Sequence, residues 1–195
     1  MNIIAVDPGR VRSAVVEFDT GTHRPMSWTI SENVNLRISL HGLGQTYPDS
    51  VLVIEQFKSY GATVGDDVLM SVLWSGRFIE AFGGEHCLIP RATVKGHICH
   101  DARAKDSNVR QALIDYFGGR QTAIGGKKCP ACHGKGWRGR SHEACTPCAG
   151  TGWEYPPGPL AGITTDMWSA LALAVAYADG MGAVSTWRNP GGDES

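Results

Sequence analysis

Three carboxylates in this chain are spaced as if to meet. Asp7 closes an apolar run at residues 2–6, Glu55 closes a second at residues 51–54, and Asp166 opens an apolar helical stretch near the C-terminal end. Sites in α/β proteins are built at the carboxyl ends of strands, so these side chains are candidates to converge there. Oxygen ligands of this kind suit hard cations. Such a cluster holds two Mg²⁺ or Mn²⁺ ions about 3.5–4 Å apart, one activating water and one stabilising the leaving oxygen of a phosphodiester. Singly, Asp7 reads as a turn former and Asp166 as a helix-dipole partner; the set of three carries the chemistry.

A second constellation is an internal repeat. Cys129-Pro-Ala-Cys132-His-Gly-Lys-Gly-Trp137 recurs sixteen residues on as Cys145-Thr-Pro-Cys148-Ala-Gly-Thr-Gly-Trp153. Two CxxC pairs at this separation are the ligand set of one tetrahedral Cys₄ zinc site, one Zn²⁺ per chain, and the glycines permit the tight knuckle turns. His133 and His142 read as bystanders. Beside Glu55, the loop Gln56-Phe57-Lys58-Ser59-Tyr60-Gly61 mixes aromatic and basic residues; Phe57 or Tyr60 could stack on an unpaired base, with Lys58 on phosphate.

Charge is segregated along the chain. The formal net charge is −1, yet between Arg91 and Arg140 eleven Lys and Arg face three Asp, a local excess of +8 against −9 elsewhere. A basic middle within an acidic remainder is the pattern of a polyanion-binding surface beside a carboxylate cluster. Arg103, Arg110, Lys135, Arg138 and Arg140 belong to that stretch and are candidate DNA contacts.

The elements that must position these residues follow from periodicity. Residues 2–6 and 13–18 read as a hairpin around Asp7-Pro8-Gly9-Arg10, residues 26–30 as a third strand, and residues 32–43 as a helix. Residues 51–54 are a continuous apolar run, as in a central strand covered on both faces. A helix over residues 66–82 carries two apolar stripes, Leu69-Val72-Leu73-Gly76-Ile79 and Met70-Trp74-Phe78-Phe82. Two stripes exceed what one core absorbs, and a second copy of the chain is the simplest cover. Residues 86–89 form a strand, and residues 92–100 and 107–117 form helices. Residues 118–162 show no helical or strand period and read as an insert, after which residues 164–181 return to helix with Thr164 or Thr165 as N-cap and Asp166 in the first turn.

This order of strands and helices predicts an α/β ribonuclease H-like fold, a mixed sheet flanked by helices, with a small inserted Cys₄ zinc module. The nuclease-like domain spans 1–118 and 162–195, and the module spans 119–161. Hydrophobic residues at 42% and charged ones at 19% suit a packed globular chain. The longest apolar run, residues 168–178, is short of a membrane span of about 20 residues, and the N-terminus lacks a signal-peptide pattern. The expectation is a cytoplasmic protein with no membrane partner.

At these residues the chain resembles a known family, the RuvC-like Holliday junction resolvases of the ribonuclease H superfamily. The likeness lies in IIAVDPGRVRSAVVEFD, VLVIEQF, PRATVKGHICHDARAKDSNVRQALIDYF and DMWSALALAVAYAD, in that order and spacing. The resemblance implies a homodimeric endonuclease that cuts four-way or otherwise branched DNA by two-metal hydrolysis. It puts the family's four metal-binding acids on Asp7, Glu55, Asp166 and Ser169, the last a departure that leaves a weak hydroxyl ligand. It also implies catalytic, phosphate-directed lysines at Lys95 and Lys105. The repeat of cysteines is similar to the CxxCxGxG modules of the DnaJ co-chaperones. Ser169 keeps a second reading open, a non-catalytic or weakly catalytic branched-DNA binder of the same fold. An actin-like ATPase is disfavoured because that fold needs two such domains.

Overall fold

The computed structural model describes residues 1–59, 61, 63–139 and 142–181. Tyr60 and Arg140, both candidate DNA contacts, lie outside the described residues. The chain divides into two compact units, one comprising Met1–Val109 and the chain from Thr164, the other Arg110–Ile163.

In the first unit, β1 (Asn2–Asp7), β2 (Arg12–Asp19) and β3 (Arg24–Glu32) form an antiparallel meander that leads into α1 (Asn33–Thr46). The chain continues through β4 (Val51–Gln56), α2 (Asp66–Phe82), β5 (His86–Pro90) and α3 (Arg91–Cys99). β4 pairs parallel to β1 and β5 parallel to β4, so the sheet runs β3-β2-β1-β4-β5 and is mixed. Helix α4 (Asp106–Tyr116) begins in the first unit and ends in the second, and α5 (Gly119–Ala123) follows it.

Period-two alternation decides what each face of the sheet sees. Ile4, Val6, Leu52 and Ile54 pack with Leu36 and Leu40 of α1 and Phe78 and Phe82 of α2. The alternate positions Ile3, Ala5, Val51 and Val53 are equally buried and belong to the other face. There α6 (Met167–Ala178), buried at every position from Ala170 to Ala176, packs on β1, β2 and β4. Asp7 and Glu55 continue this second set, so both fall on the face that α6 covers.

Three expectations change. α6 begins at Met167, and Asp166 is its N-cap residue, because Thr165 takes a left-handed backbone (φ 43°) that no helix can include. The stretch from residue 118 onward is not without regular structure: it holds α5 and four short strands, β6 (Lys127–Lys128), β7 (Trp137–Arg138), β8 (Glu143–Ala144) and β9 (Trp153–Tyr155), paired antiparallel as β6–β9 and β7–β8. Pieces of two or three residues leave no readable period. On α2, one predicted stripe enters the core through Trp74, Phe78 and Phe82, while Leu69, Val72 and Leu73 of the other stay about half exposed. Among the described residues no helix is long and apolar enough to cross a membrane.

Candidate active site and metal centre

Parallel pairing of β1 with β4 runs from Ile3↔Val51 to Val6↔Ile54. One step further stand Asp7 and Glu55, on neighbouring strands whose backbones lie about 4.8 Å apart. The turn after Asp7 is held by a closed ring of hydrogen bonds. Buried Ser13 donates to Asn33 Oδ1 (2.7 Å), Asn33 Nδ2 donates to the Gly9 carbonyl (2.9 Å), and the Gly9 amide donates to Ser13 Oγ (3.2 Å). A Cβ at Gly9 would run into the Arg12 carbonyl, so the turn requires glycine. Ser13 and Asn33 were not legible as site residues, and each is about 1% exposed.

Across from the strands, the first turn of α6 supplies Asp166 and Ser169. Their effect is read on Asp7, whose carboxyl is pushed up to about 7. Burial is the largest cause, the charge of Glu55 the next, and Asp166 adds to it; Arg91 and a hydrogen bond with Ser169 pull the other way. Glu55 is also raised, by burial first, although the Arg91 guanidinium opposes this. Hence Glu55, Asp166 and Ser169 all act on Asp7, and Arg91 is the cation that offsets the acids in part.

Arg91 is the residue that the sequence reading missed. Its Nη1 donates to both oxygens of Glu55 (3.1 and 3.3 Å), and its Nη2 donates to Asp106 (2.9 Å). Lys95 Nζ meets the same Asp106 at 3.0 Å. Glu55, Arg91, Asp106 and Lys95 thus form a ladder of alternating charge along the start of α3 and α4. The available signal was positional: Pro90 pairs with Gln56, so Arg91 follows the end of β5 as Glu55 stands at the end of β4.

Phe57 is 45% exposed and borders a cleft with Asp7, Glu55 and Arg91, walled on its far side by Ser71 and Val72 of α2. Lys58 and Lys95 share a neighbouring hollow with Gln56 and Ala102. Lys105 is exposed just before α4, and its carbonyl accepts the Asn108 amide; Arg103 is exposed nearby, its amide donating to Asp101. Arg110 is exposed on α4, in the second unit.

Hard oxygen donors whose charge Arg91 offsets only in part, since Asp7 stays raised to about 7, fit Mg²⁺ or Mn²⁺. The acids do not close into a tight ring, however. Among the described residues the only three or more acidic, His or Cys ligand atoms within 4.8 Å of one another belong to the four cysteines. Glu55 is instead paired with Arg91.

No family model matches the chain, and no curated protein matches it in sequence. Solved structures do. The structure of Thermus thermophilus RuvC superposes with a TM-score of 0.54 at 13% identity, covering 91% of this chain and 93% of that one. T. thermophilus RuvC in complex with a Holliday junction substrate matches with the same TM-score and coverage at 10% identity. The fold is that of RuvC. At such identities the RuvC likeness fixes the path of the chain and leaves the chemistry to the residues described above.

The second unit has its own centre. Cys129 and Cys145 sulfurs lie 3.9 Å apart, and those of Cys132 and Cys148 lie 3.7 Å apart, all four buried. A tetrahedron with Zn–S bonds of about 2.3 Å has edges near 3.8 Å, so the four fit zinc. Gly136 and Gly152 amides donate to Cys132 and Cys148 sulfurs, both at 3.3 Å, as thiolate ligands require. His142 packs against Trp137 with the rings tilted (4.0 Å between centroids), outside the cluster.

Proposed function

We propose that this protein is a metal-dependent endonuclease that cleaves Holliday junctions or other branched DNA as a homodimer, a crossover junction endodeoxyribonuclease. One observation carries the reading: in a RuvC fold, Glu55, Asp166 and Ser169 all act on Asp7 at the strand ends, and its carboxyl stays raised to about 7 despite Arg91. Asp7, Glu55 and Asp166 would hold two Mg²⁺ or Mn²⁺ ions, with Ser169 as a weak fourth ligand; bound there, the ions supply an activated water and stabilise the leaving oxygen.

The chain's own side chains do the rest. Ser13 and Asn33 fix the turn that aims Asp7. Lys95 and Lys105, on the basic stretch beside the cluster, meet the scissile phosphate and its developing charge. Phe57 stacks on a base exposed at the branch, and Lys58, Arg103 and Arg110 meet backbone phosphates. Tyr60, three residues on in the sequence, is assigned the same stacking role. The exposed stripe Leu69-Val72-Leu73 with Gly76 on α2 pairs two copies, so that two sites face two strands. Zinc, one ion per chain, is a structural staple of the inserted module.

A second reading, a branched-DNA binder with little or no cleavage, is favoured by the Arg91–Glu55 pair and by serine at position 169. Incubation with junction, flap and duplex DNA in Mg²⁺ or Mn²⁺ separates the two. Nicking of branched DNA that Asp7→Asn and Glu55→Gln abolish, with binding retained, supports the nuclease; binding without metal-dependent nicking supports the binder.

A further inference from the structure

The zinc module contains its own control. Its two arms repeat with an offset of sixteen residues, so each first-arm residue has a counterpart in the second: Lys127 has Glu143, Lys128 has Ala144, Lys135 has Thr151 and Arg138 has Glu154. Every cation of the first arm is replaced by an acid or a neutral residue.

The fold explains two of the four cations. Antiparallel pairing crosses the arms: β6 of the first lies on β9 of the second, and β7 on β8. Lys127 Nζ accordingly pairs with Glu154 (2.9 Å), and Arg138 stands opposite Glu143 in register. These opposite charges belong to the ladders and stabilise strand pairing.

Lys128 and Lys135 have no such account. A Cβ placed on Gly134 would meet the Lys128 stem at 2.9 Å, and one on Gly150 would meet the Ala144 methyl at 3.6 Å. The packing site is the same in both arms, and alanine is enough to build it. Likewise the turn that carries Lys135 is closed in the second arm around Thr151, with the cysteine-to-glycine N–H···S bond intact at the same 3.3 Å. The zinc knuckle therefore needs neither lysine. Both are exposed on the first knuckle, the Lys128 stem lying over Gly134 and the Lys135 ammonium 5.2 Å from the Trp137 ring centre.

We propose that the first knuckle is a phosphate-contacting surface of the protein, in which Lys128 and Lys135 bind the backbone of nucleic acid, while the second knuckle is structural. The proposal rests on the reading above that the substrate is DNA, and it separates Lys128 and Lys135 from Lys127 and Arg138, whose charges the strand pairing accounts for. Two exposed ammoniums with no partner acid among the described residues form a sequence-independent polyanion site, and each phosphate neutralised steepens the salt dependence of binding by roughly 0.9 in log–log slope.

The test is binding of the full-length zinc-loaded protein to a four-way DNA junction across a salt series, without divalent ions. Lys128→Ala/Lys135→Ala is expected to weaken binding on the order of tenfold at moderate salt and to flatten the slope by about 2. Lys127→Ala, whose cation is already paired with Glu154, is expected to leave the slope within experimental error of the parent. Zinc content equal to the parent's shows that the double variant is folded at the knuckle, the result its Ala144/Thr151 counterpart predicts. A double variant that keeps zinc and the parental slope overturns the proposal and leaves the nuclease reading intact. Failure of the parent itself to bind junction or duplex DNA overturns both.

Discussion

Asp7 holds the largest electrostatic stress at the candidate site, and this has a measurable consequence for the protein without divalent ions. Its carboxyl is raised from 3.8 to about 7, so the folded state holds that proton more tightly than the unfolded chain. For an acid displaced upward, the stability contribution is present below the unfolded value and is lost as pH rises toward the folded one. The metal-free protein is therefore expected to become less stable between about pH 4 and pH 7, with Glu55, raised in the same direction, adding to the slope. Asp7→Asn should flatten the dependence and stabilise the metal-free protein at pH 8 by roughly 2 kcal/mol, a figure reduced from the full shift because Asp7 is not wholly buried. Urea unfolding of parent and variant at several pH values checks it, and an unchanged slope would show that Asp7 is not under this stress. Ser169 tests the same site from the helix. Ser169→Asp adds a carboxylate beside Asp7, which should lower the Mg²⁺ or Mn²⁺ concentration for half-maximal binding on the order of tenfold while destabilising the metal-free protein. Calorimetric titration reads the first and unfolding the second; no change in either would mean that position 169 does not face the cluster. At this scale the sequence showed the acids, because a carboxylate closing an apolar run is conspicuous. It did not show Arg91, Asp106 or Asn33, whose partners Glu55, Arg91 and Gly9 stand 36, 15 and 24 residues away in sequence and come together only through strand register and helix placement.

Among the elements, those with a clear period were legible and those positioned by neighbours were less so. Asp66–Phe82 is a helix over the span its apolar pattern predicts, with Gly83 in the left-handed C-cap conformation. The start of α6 was misjudged by three residues because Thr164-Thr165-Asp166 offers several capping residues, and local backbone geometry selects Asp166. That shift matters, since it puts Asp166 at the N-cap and Ser169 at the third helical position, both within the first turn and near the positive end of the helix dipole. α2 makes the element-scale prediction. Leu69, Val72 and Leu73 are 56%, 48% and 46% exposed on one stripe, and Gly76 beside them lets a second helix approach. Leu73→Asp is expected to weaken self-association on the order of 100-fold without lowering the stability of the single chain, because the side chain is not part of its core. Sedimentation at several concentrations reads the association and thermal unfolding reads the stability. A parent that stays monomeric at micromolar concentration and on DNA would remove the paired-site arrangement.

In the whole molecule, two compact units depend on different sources of stability. The chain of Met1–Val109 with the residues from Thr164 buries a sheet between helices and holds the apolar core. Arg110–Ile163 contains, around its cysteines, strands of only two or three residues and a small buried cluster composed of the four sulfurs and Ala131. A segment of that kind cannot offset its chain entropy by apolar burial, and metal–thiolate bonding, worth on the order of 10 kcal/mol in small zinc folds, is what orders it. The sequence disclosed the ligands, since spacing alone identifies a Cys₄ set, but it could not disclose the crossed strand pairing of the arms. Removal of zinc by a strong chelator is accordingly expected to unfold the segment around residues 127–155 while β1, β2 and β4 keep their amide protection. Hydrogen exchange resolves the outcome by region: protection lost in the cysteine arms and retained in the sheet is the expected result, with full recovery when zinc is restored. Loss of protection throughout would mean that zinc stabilises both units as one cooperative body, and unchanged arms would mean that the cysteines hold the fold without the metal.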